Sequence, residues 1–395
     1  MRRPTLSYLR TESGAGLLLP VAAVAAIGLA TSGYSAHYKD LIDTVIPARV
    51  GDFAATLTLA GWVRALLMPI FFLVLGMELK FELLRGELSN PRRLALPALA
   101  ALGGFFVPAL IAFAIGGGDA ALWASATTTD GAAALAALSL VAPRLSPSLR
   151  VLLIAVAIAD NLAAVVIAAI LTAGAPDWQM LAGAGAVLAI LAVLSRWRRA
   201  PFLFYAAGFV AVWGFILKSG LDPALAGVAS ATAVPIGTRR PGQDSMLRYF
   251  MDSLHPYVAF AVLPLFVFTA AGFSLHHFHL RDLVHPAPLA VMAGLALGKP
   301  VGVLVACATG VALKAARRPT GTSWRELAGV ACLTGVGFTL SYFIAGMDGA
   351  DPPASVRAAI LFGSVAPALA GGWLLGRAWP ASAALPRESG DAGFF

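Results

Sequence analysis

Long stretches without a charged residue constrain this chain more than any other feature. Residues 15–36, 178–195 and 200–217 contain no Asp, Glu, Lys or Arg, and a helix needs about 20 apolar residues to cross a bilayer. Only 12% of the chain is charged and its mean hydropathy is +0.82, whereas a soluble domain is about 25% charged. The sequence therefore predicts an all-α polytopic membrane protein and argues against a soluble one.

Twelve apolar stretches are long enough, or nearly so, to be membrane spans. They are residues 15–36, 65–77 (followed by a charged end with Glu78, Lys80 and Glu82), 94–118, 120–143, 151–176, 178–195, 200–217, 223–238, 258–275, 286–313, 327–347 and 358–376. With twelve spans, most Lys and Arg residues fall in loops on the side of the N-terminus, which the positive-inside rule makes cytoplasmic. We therefore expect both termini in the cytoplasm. The net charge of +8 then reflects topology, with the lipid bilayer and not nucleic acid as the partner.

A long loop, approximately residues 35–62, separates the first two spans. Within it, residues 48–59 (ARVGDFAATLTL) combine turn and strand chemistry. Two interpretations remain open for this segment, an exposed β-hairpin and an irregular loop. No other segment suggests a separate domain, so residues 1–395 are expected to form a single transmembrane domain.

Three ionisable residues lie near the middle of predicted spans, namely Asp130, Asp160 and Lys299. A charge at membrane depth is costly, and such residues usually mark an ion or substrate pathway. Each one by itself could instead hold two helices together, or lie nearer the interface than the span suggests. Two acids and one base together favour a functional cluster, since a buried cation would offset the repulsion between two anions.

Two of the spans contain segments that weaken a helix, and a third contains Pro300, which removes one helical hydrogen bond beside Lys299. Asp130 follows three threonines and precedes a glycine, and hydroxyl side chains and glycine leave backbone groups free to bind an ion. Gly335 and Gly337 interrupt the eleventh span, although glycines also serve close helix packing. These weak points occupy corresponding places in two three-helix units, approximately residues 94–176 and 286–376. Paired interrupted helices in two repeats predict a transporter site.

Seven segments, in this order and spacing, resemble one known family. They are residues 71–82 (FFLVLGMELKFE), 126–134 (ATTTDGAAA), 155–164 (AVAIADNLAA), 217–227 (LKSGLDPALAG), 255–272 (HPYVAFAVLPLFVFTAAG), 297–302 (LGKPVG) and 335–345 (GVGFTLSYFIA). The chain resembles the NhaA family of sodium/proton antiporters from about Ser13 to Arg377. The resemblance implies twelve helices in inverted repeats, with two broken helices that cross at mid-membrane. It also implies exchange of sodium or lithium for protons by alternating access in a bacterial inner membrane, a homodimer joined through the hairpin, and no cofactor.

The same resemblance assigns roles to individual residues. Asp130 matches the acid of the broken fourth helix, with Thr129 beside it, and Lys299 matches the basic partner in the tenth helix. Asp160 matches the first acid of the family's aspartate pair. Glu78 and Glu82 match acids of the cytoplasmic funnel, and their spacing places them on one helix face.

The chain departs from the family pattern at several of these positions. The family's aspartate pair is here Asp160-Asn161, and Asn161 retains a carbonyl oxygen but cannot carry a proton. Phe81 replaces an arginine of the funnel, Met251 replaces an acid, and Asp222 stands where the best-studied members have a histidine.

We expect Asp130, Asp160, Asn161 and Thr129 to form the site for the transported sodium ion, with Lys299 as the ion-pair partner. One carboxylate fewer predicts weaker cation binding or fewer protons per cycle. Transport of another ion, or a transport-impaired homologue, is an alternative. An intramembrane aspartyl protease with Asp130 and Asp160 as a dyad is a further one. Such enzymes usually have a Gly-x-Gly-Asp element, whereas the Gly-x-Gly at Gly335–Gly337 is followed by Phe338. An ion channel would need a filter-like repeat, which is also missing.

Overall fold

Helices account for most of the chain in the computed structural model. The described residues are 4–50, 53–86, 89, 91–143, 145–172, 174–196, 201–237, 245–276, 278–319, 321–347 and 351–382. In the first half the helices are α1 (Pro4–Thr31), α2 (Ser35–Asp43), α3 (Leu59–Trp62), α4 (Met68–Leu84), α5 (Pro91–Gly116), α6 (Ala120–Ser125), α7 (Gly131–Val141), α8 (Pro147–Thr172) and α9 (Trp178–Arg196). In the second half they are α10 (Phe202–Ser219), α11 (Ala224–Ala233), α12 (Met246–Tyr257), α13 (Leu263–Ala270), α14 (Pro286–Ala293), α15 (Lys299–Ala312), α16 (Trp324–Thr334), α17 (Phe338–Ala345) and α18 (Ala354–Ser382).

The predicted spans correspond to these helices. Among the described residues, nine helices are long and apolar enough to cross a membrane, or ten if α1 and α2, which meet at 116°, count as one. Two predicted spans coincide with shorter helices. The fourth is divided between α6 and α7, and the eighth is the 10-residue α11. The polytopic helical fold is thus confirmed. The total of twelve stays a prediction, with which these elements are compatible.

Three spans contain a single π-helical turn that ends two residues before a proline. The turns are Val63–Leu67, Val258–Val262 and Gly294–Gly298, and the prolines two residues after them are Pro69, Pro264 and Pro300. Proline has no N–H and its ring crowds the preceding turn of a helix. A wider turn relieves this crowding without ending the helix. The third turn matters for function, because the next residue along the chain is Lys299.

The loop between the first two spans forms the hairpin, one of the two interpretations left open by its sequence. Strands β1 (Val45–Val50) and β2 (Phe53–Thr58) pair antiparallel. The residues that connect them, 51 and 52, lie outside the described part of the chain. Trp62 Nε1 donates to Ile46 O at 2.7 Å and so fixes the hairpin to the helix that follows. The role of this hairpin in a homodimer stays a prediction.

The two segments that the sequence predicts as three-helix units, residues 94–176 and 286–376, meet along α5 and α15. Gly103 of α5 and Gly302 of α15 lie against each other so closely that a Cβ on either would overlap the other's carbonyl oxygen. This contact brings the backbones of the two units together near mid-span. Gly104, the next residue, lies against Asp160, since a Cβ on it would be 3.5 Å from Asp160 Oδ2. This contact between α5 and α15, which we call the α5–α15 seam, therefore places Asp160 of the first unit beside α15 of the second.

Candidate cation site

The first interrupted helix is broken at residues 126–130, which we call the first break. Hydroxyl groups donate hydrogen bonds to carbonyl oxygens at the end of α6. Thr127 Oγ1 donates to Ala124 O at 2.8 Å, and Thr128 Oγ1 donates to Ser125 O at 3.2 Å. Threonine competes in this way with the helix's own hydrogen bonds. Thr127 and Thr128 therefore supply hydrogen bonds to carbonyl oxygens at the buried C-terminal end of α6.

Asp130 starts the next helix and also contacts the second interrupted helix. Its Oδ1 accepts from Ala133 N at 3.0 Å, the usual N-cap bond of α7. Its Oδ2 accepts from Thr339 N at 3.1 Å, in the first turn of α17, and its own N–H donates to Val336 O at 2.6 Å. The carboxylate thus lies at the N-termini of two helices, where the positive ends of their dipoles stabilise negative charge.

The second interrupted helix is broken at residues 335–337, the second break. It lies directly against the first one, since Thr129 Oγ1 donates to Thr334 O at 2.8 Å. Small residues are required here, because a Cβ on Gly335 would lie 2.5 Å from Leu295 O and one on Gly337 would lie 2.6 Å from Leu295 Cδ2. The structure therefore brings together the two weak points that the sequence predicted.

Asp160 and Lys299 form a buried ion pair next to these breaks. Asp160 Oδ2 and Lys299 Nζ are 2.8 Å apart, and the side chains are 1% and 0% exposed. Lys299 also donates to the hydroxyl of Thr129, which lies 3.3 Å from Asp160 Oδ2. The other carboxylate oxygen, Asp160 Oδ1, is buried and has no hydrogen-bond partner among the described residues. One oxygen of this carboxylate is thus unused in a site otherwise rich in hydrogen bonds.

Asn161, the next residue of α8, contacts a different group. Consecutive residues of a helix point about 100° apart, so Asp160 reaches α15 while Asn161 reaches the first break. Its Oδ1 accepts from Thr129 N at 3.0 Å, and its Nδ2 donates to Thr129 O at 2.7 Å. All four residues expected from the sequence, together with Lys299, therefore belong to one buried cluster.

The two predicted funnel acids lie on α4, away from the two breaks. Glu78 Oε1 is 3.7 Å from His255 Nδ1 of α12. Glu82 lines a cavity of about 30 Å³ together with Val151, Ile154 and Ala155 of α8. Val151, Ile154 and Ala155 lie nearer the N-terminus of α8 than Asp160 does, and at 100° per residue they lie on a different face of that helix.

Three further residues at the departures from the family pattern have defined neighbours. Asp222 forms an ion pair with Arg64 at 3.4 Å and accepts from Ala224 N at 2.8 Å, which starts α11. The guanidinium of Arg248 lies 5.7 Å from the centre of the Phe81 ring. Met251 packs against the main hydrophobic core.

Sequence reasoning missed two basic residues with defined structural roles. Lys80 Nζ donates to Thr232 O at 2.6 Å and to Val234 O at 2.7 Å, and so satisfies carbonyl oxygens at the end of α11. Arg64 lies 4.6 Å from the centre of the Phe343 ring, where it joins α4's π turn to α17. The available signal was a basic residue within or beside an apolar span, which usually has a specific partner.

The geometry argues against the protease alternative. In an aspartyl dyad two carboxyl groups share a proton, whereas here Asp130 accepts from backbone N–H groups and Asp160 pairs with Lys299. Within the part of the chain that the structure describes, no group of three or more His, Cys, Asp or Glu side chains could hold a metal ion. The two carboxylates therefore lack the shared partner arrangement of a dyad.

Comparison with known proteins identifies the family of this chain. The family model described as Na+/H+ antiporter 1 matches residues 6–375. A relative from Campylobacter concisus, named Na(+)/H(+) antiporter NhaA, is 40% identical over 93% of this chain and 91% of its own length. A relative from Syntrophotalea carbinolica, Na(+)/H(+) antiporter NhaA 1, is 39% identical over 94% of this chain and 95% of its own length. Such relatives are transporters and not enzymes, and the chain belongs to the Na+/H+ antiporter 1 family.

Proposed function

We propose that this protein exchanges sodium or lithium ions for protons across a bacterial inner membrane by alternating access, with Asp160 and Asp130 as the cation and proton site. The observation that carries the proposal is the buried Asp160–Lys299 pair at the point where the two breaks meet. An ion pair away from water is costly and contributes little net stability. Its presence in a member of an antiporter family supports a role in transport.

Competition for one carboxylate explains the exchange. A hard cation binds oxygen ligands and requires an ionised carboxylate, so Asp160 holds either a proton or the cation. The unused Oδ1 of Asp160 and the hydroxyl of Thr129 supply oxygens on the cation's side. When the cation binds, Lys299 is displaced from Asp160, and a desolvated ammonium then releases its proton. The site faces one side of the membrane at a time, which couples the two fluxes.

Asn161 alters the charge balance of this cycle. Because it carries neither a charge nor an exchangeable proton, the site has one titrating carboxylate fewer than the family's aspartate pair. We expect fewer protons per cation, and hence less net charge moved per cycle. Each elementary charge moved is worth about 2.3 kcal/mol per 100 mV. An electroneutral cycle would therefore lose the membrane potential as a driving force.

The orientation and assembly are part of the proposal. The excess of Lys and Arg in loops on the N-terminal side supports cytoplasmic termini. Glu78 and Glu82 then lie towards the cytoplasmic end, and the hairpin lies at the outer end. The paired strands β1 and β2 support a contact between two copies in a homodimer.

A vesicle assay tests the exchange directly. Purified protein in liposomes with a preformed pH gradient is challenged with sodium, lithium or potassium, for the wild type and for Asp160→Asn. We expect sodium or lithium to dissipate the gradient with the wild type only. A wild-type protein that responds to no cation, in vesicles shown to contain folded protein, contradicts the proposal. An imposed potential that changes the rate contradicts the electroneutral version alone.

The bonding of Asn161 favours a second candidate, a transporter of another ion or a transport-impaired homologue. Both polar groups of its side chain are bonded to the protein backbone, which reduces the ligands available to sodium. The same vesicles, challenged with a panel of monovalent cations, separate the candidates. A sodium response gained only in Asn161→Asp supports an impaired site.

A further inference from the structure

Thr129 has main-chain groups that no helix can satisfy. It lies in the first break, one residue before the N-cap of α7, and is fully buried. A buried backbone N–H or C=O without a partner is costly, above all at membrane depth. One side chain, that of Asn161, bonds both the N–H and the C=O of Thr129. We call this pair of hydrogen bonds the amide bridge.

We propose that Asn161 is a positioning residue, which holds the Thr129 backbone through the amide bridge, and not a ligand of the transported cation. The proposal rests on the function proposed above and assigns Asn161 a different role from the one expected from the sequence. In this role Asn161 acts on the cation only through the place it gives to Thr129.

The directions of the two hydrogen bonds require an amide. Oδ1 accepts from Thr129 N at 3.0 Å while Nδ2 donates to Thr129 O at 2.7 Å. A carboxamide supplies one acceptor and one donor at any pH, whereas an ionised carboxylate supplies acceptors only. An aspartate here would set a negative oxygen against the Thr129 carbonyl oxygen unless it were protonated. The chain therefore keeps the first break fixed in a way that does not depend on pH.

Fixing this backbone also fixes the hydroxyl of Thr129. That hydroxyl lies between Lys299, Asp160 Oδ2 and Thr334 O. It therefore touches both members of the ion pair as well as the second break. Without the amide bridge the Thr129 side chain would lose its defined place, and the ion pair would lose its link to the second break.

Other titratable groups near Asn161 belong to the elements that pack on α8. Asp160 is its neighbour on the same helix, Asp130 ends the first break, and Lys299 lies on α15. The described side chains of α5 and α11, which also pack on α8, carry no charge. The remaining groups on packed helices are Glu78, Lys80 and Glu82 of α4, Arg325, Glu326 and Cys332 of α16, and Tyr342 of α17. All of these are present in each variant below, so a difference between variants reports on position 161.

Transport kinetics separate a positioning residue from a ligand. We expect Asn161→Ala to lower kcat by about tenfold, the effect of one or two lost buried hydrogen bonds, at every pH and with little change in KM for the cation. Asn161→Asp should approach wild-type activity at acidic pH, where its carboxyl group can donate, and lose activity as pH rises. A raised KM with unchanged kcat in Asn161→Ala would overturn the proposal. So would activity of Asn161→Asp that increases with pH relative to wild type.

Amide hydrogen exchange provides a test that does not depend on transport. We expect Asn161→Ala to accelerate exchange in a peptide covering residues 126–130. The matched control is Ser364→Ala, which removes the acceptor of Phe338 N at the other break and should accelerate exchange only in residues 336–340. Unchanged exchange at 126–130 in a folded Asn161→Ala protein refutes the amide bridge. If exchange responds as expected but the wild type transports no cation, the proposed function fails and the amide bridge remains.

Discussion

The two breaks face each other but are built from different chemistry. In the first break, side-chain oxygens of Thr127, Thr128 and Asp130 bond the ends of α6 and α7. In the second break, Gly335 and Gly337 allow close contact with Leu295, and a hydroxyl from another helix, Ser364, caps Phe338 N at 3.0 Å. One break carries a charge and the other carries none.

This difference suggests a division of roles between the two breaks. The first break presents groups that bind or exchange ions, and the second presents carbonyl oxygens that position them. Thr334 O accepts from Thr129, and Val336 O accepts from Asp130 N. We expect substitutions near the first break to change ion exchange, and substitutions at the second to change stability and packing first. The following predictions test that division, beginning with the largest effect.

Asp160→Asn should reduce cation-driven proton flux to the background of empty vesicles. The substitution removes the carboxylate that pairs with Lys299 and leaves a buried ammonium without its counterion. The measurement is dissipation of a preformed pH gradient. Asp351→Asn is the matched control, since Asp351 has an 83% exposed side chain and its loss should leave the flux unchanged. Substantial flux in Asp160→Asn would remove this carboxylate from the mechanism.

Asp130→Ala should impair both transport and stability. It deletes the N-cap of α7, worth about 1 kcal/mol, and leaves Thr339 N buried without its acceptor, at a further cost of about 1–3 kcal/mol. Thermal unfolding of the purified protein measures the loss. Asp130→Asn keeps one acceptor oxygen and should recover part of the stability but not the transport. If Asp130→Asn transported normally, the charge of the first break would have no role in exchange.

Gly337→Ala should lower stability by about 1–3 kcal/mol, the usual cost of overpacking. Its new Cβ would lie 2.6 Å from Leu295 Cδ2 and 3.2 Å from Thr128 O, so the two breaks would be pushed apart. Thermal unfolding again provides the measurement. Gly28→Ala is the control, because nothing lies within 4 Å of a Cβ at that position. Equal stability of the two variants would show that the second break is looser than its contacts indicate.

Ser364→Ala should have the smallest effect. It removes one acceptor, that of Phe338 N, at a cost of about 1 kcal/mol or slightly more, and it leaves every charged group in place. We expect a small decrease in melting temperature and nearly normal transport. Ser139→Ala is matched to it, since Ser139 donates only to a carbonyl of its own helix, Leu135 O. A loss of exchange in Ser364→Ala as large as that in Asp130→Ala would contradict the division between the two breaks.

Some elements could be predicted from sequence because their signals are local. The breaks were visible as threonines before Asp130 and as paired glycines at 335 and 337. Helix α2, in contrast, lies within the long loop that the sequence predicts, since its short amphipathic sequence resembles neither a span nor a strand. The hairpin could not be separated from an irregular loop, because alternating side chains over a few residues do not show which strands pair.

The partners of the charged residues were harder to predict. Lys80 and Arg64 were recognisable as basic residues in or beside spans, but their partners Val234 O and Phe343 are far away along the chain. A charge near a span signals that a partner exists without saying which one. The same holds for the departures from the family pattern, where Asp222 was visible but its pairing with Arg64 was not.

The sequence by itself determined which segments enter the bilayer and which residues carry charge there, because hydrocarbon excludes polar groups so strongly that composition alone marks the spans. Only the tertiary structure decided how those residues pair. It joined Asp160 to Lys299 across the α5–α15 seam, placed Asp130 at two helix N-termini and directed Asn161 to the Thr129 backbone. Such contacts depend on the packing of elements distant in the chain, to within a few tenths of an ångström, and no local pattern encodes them.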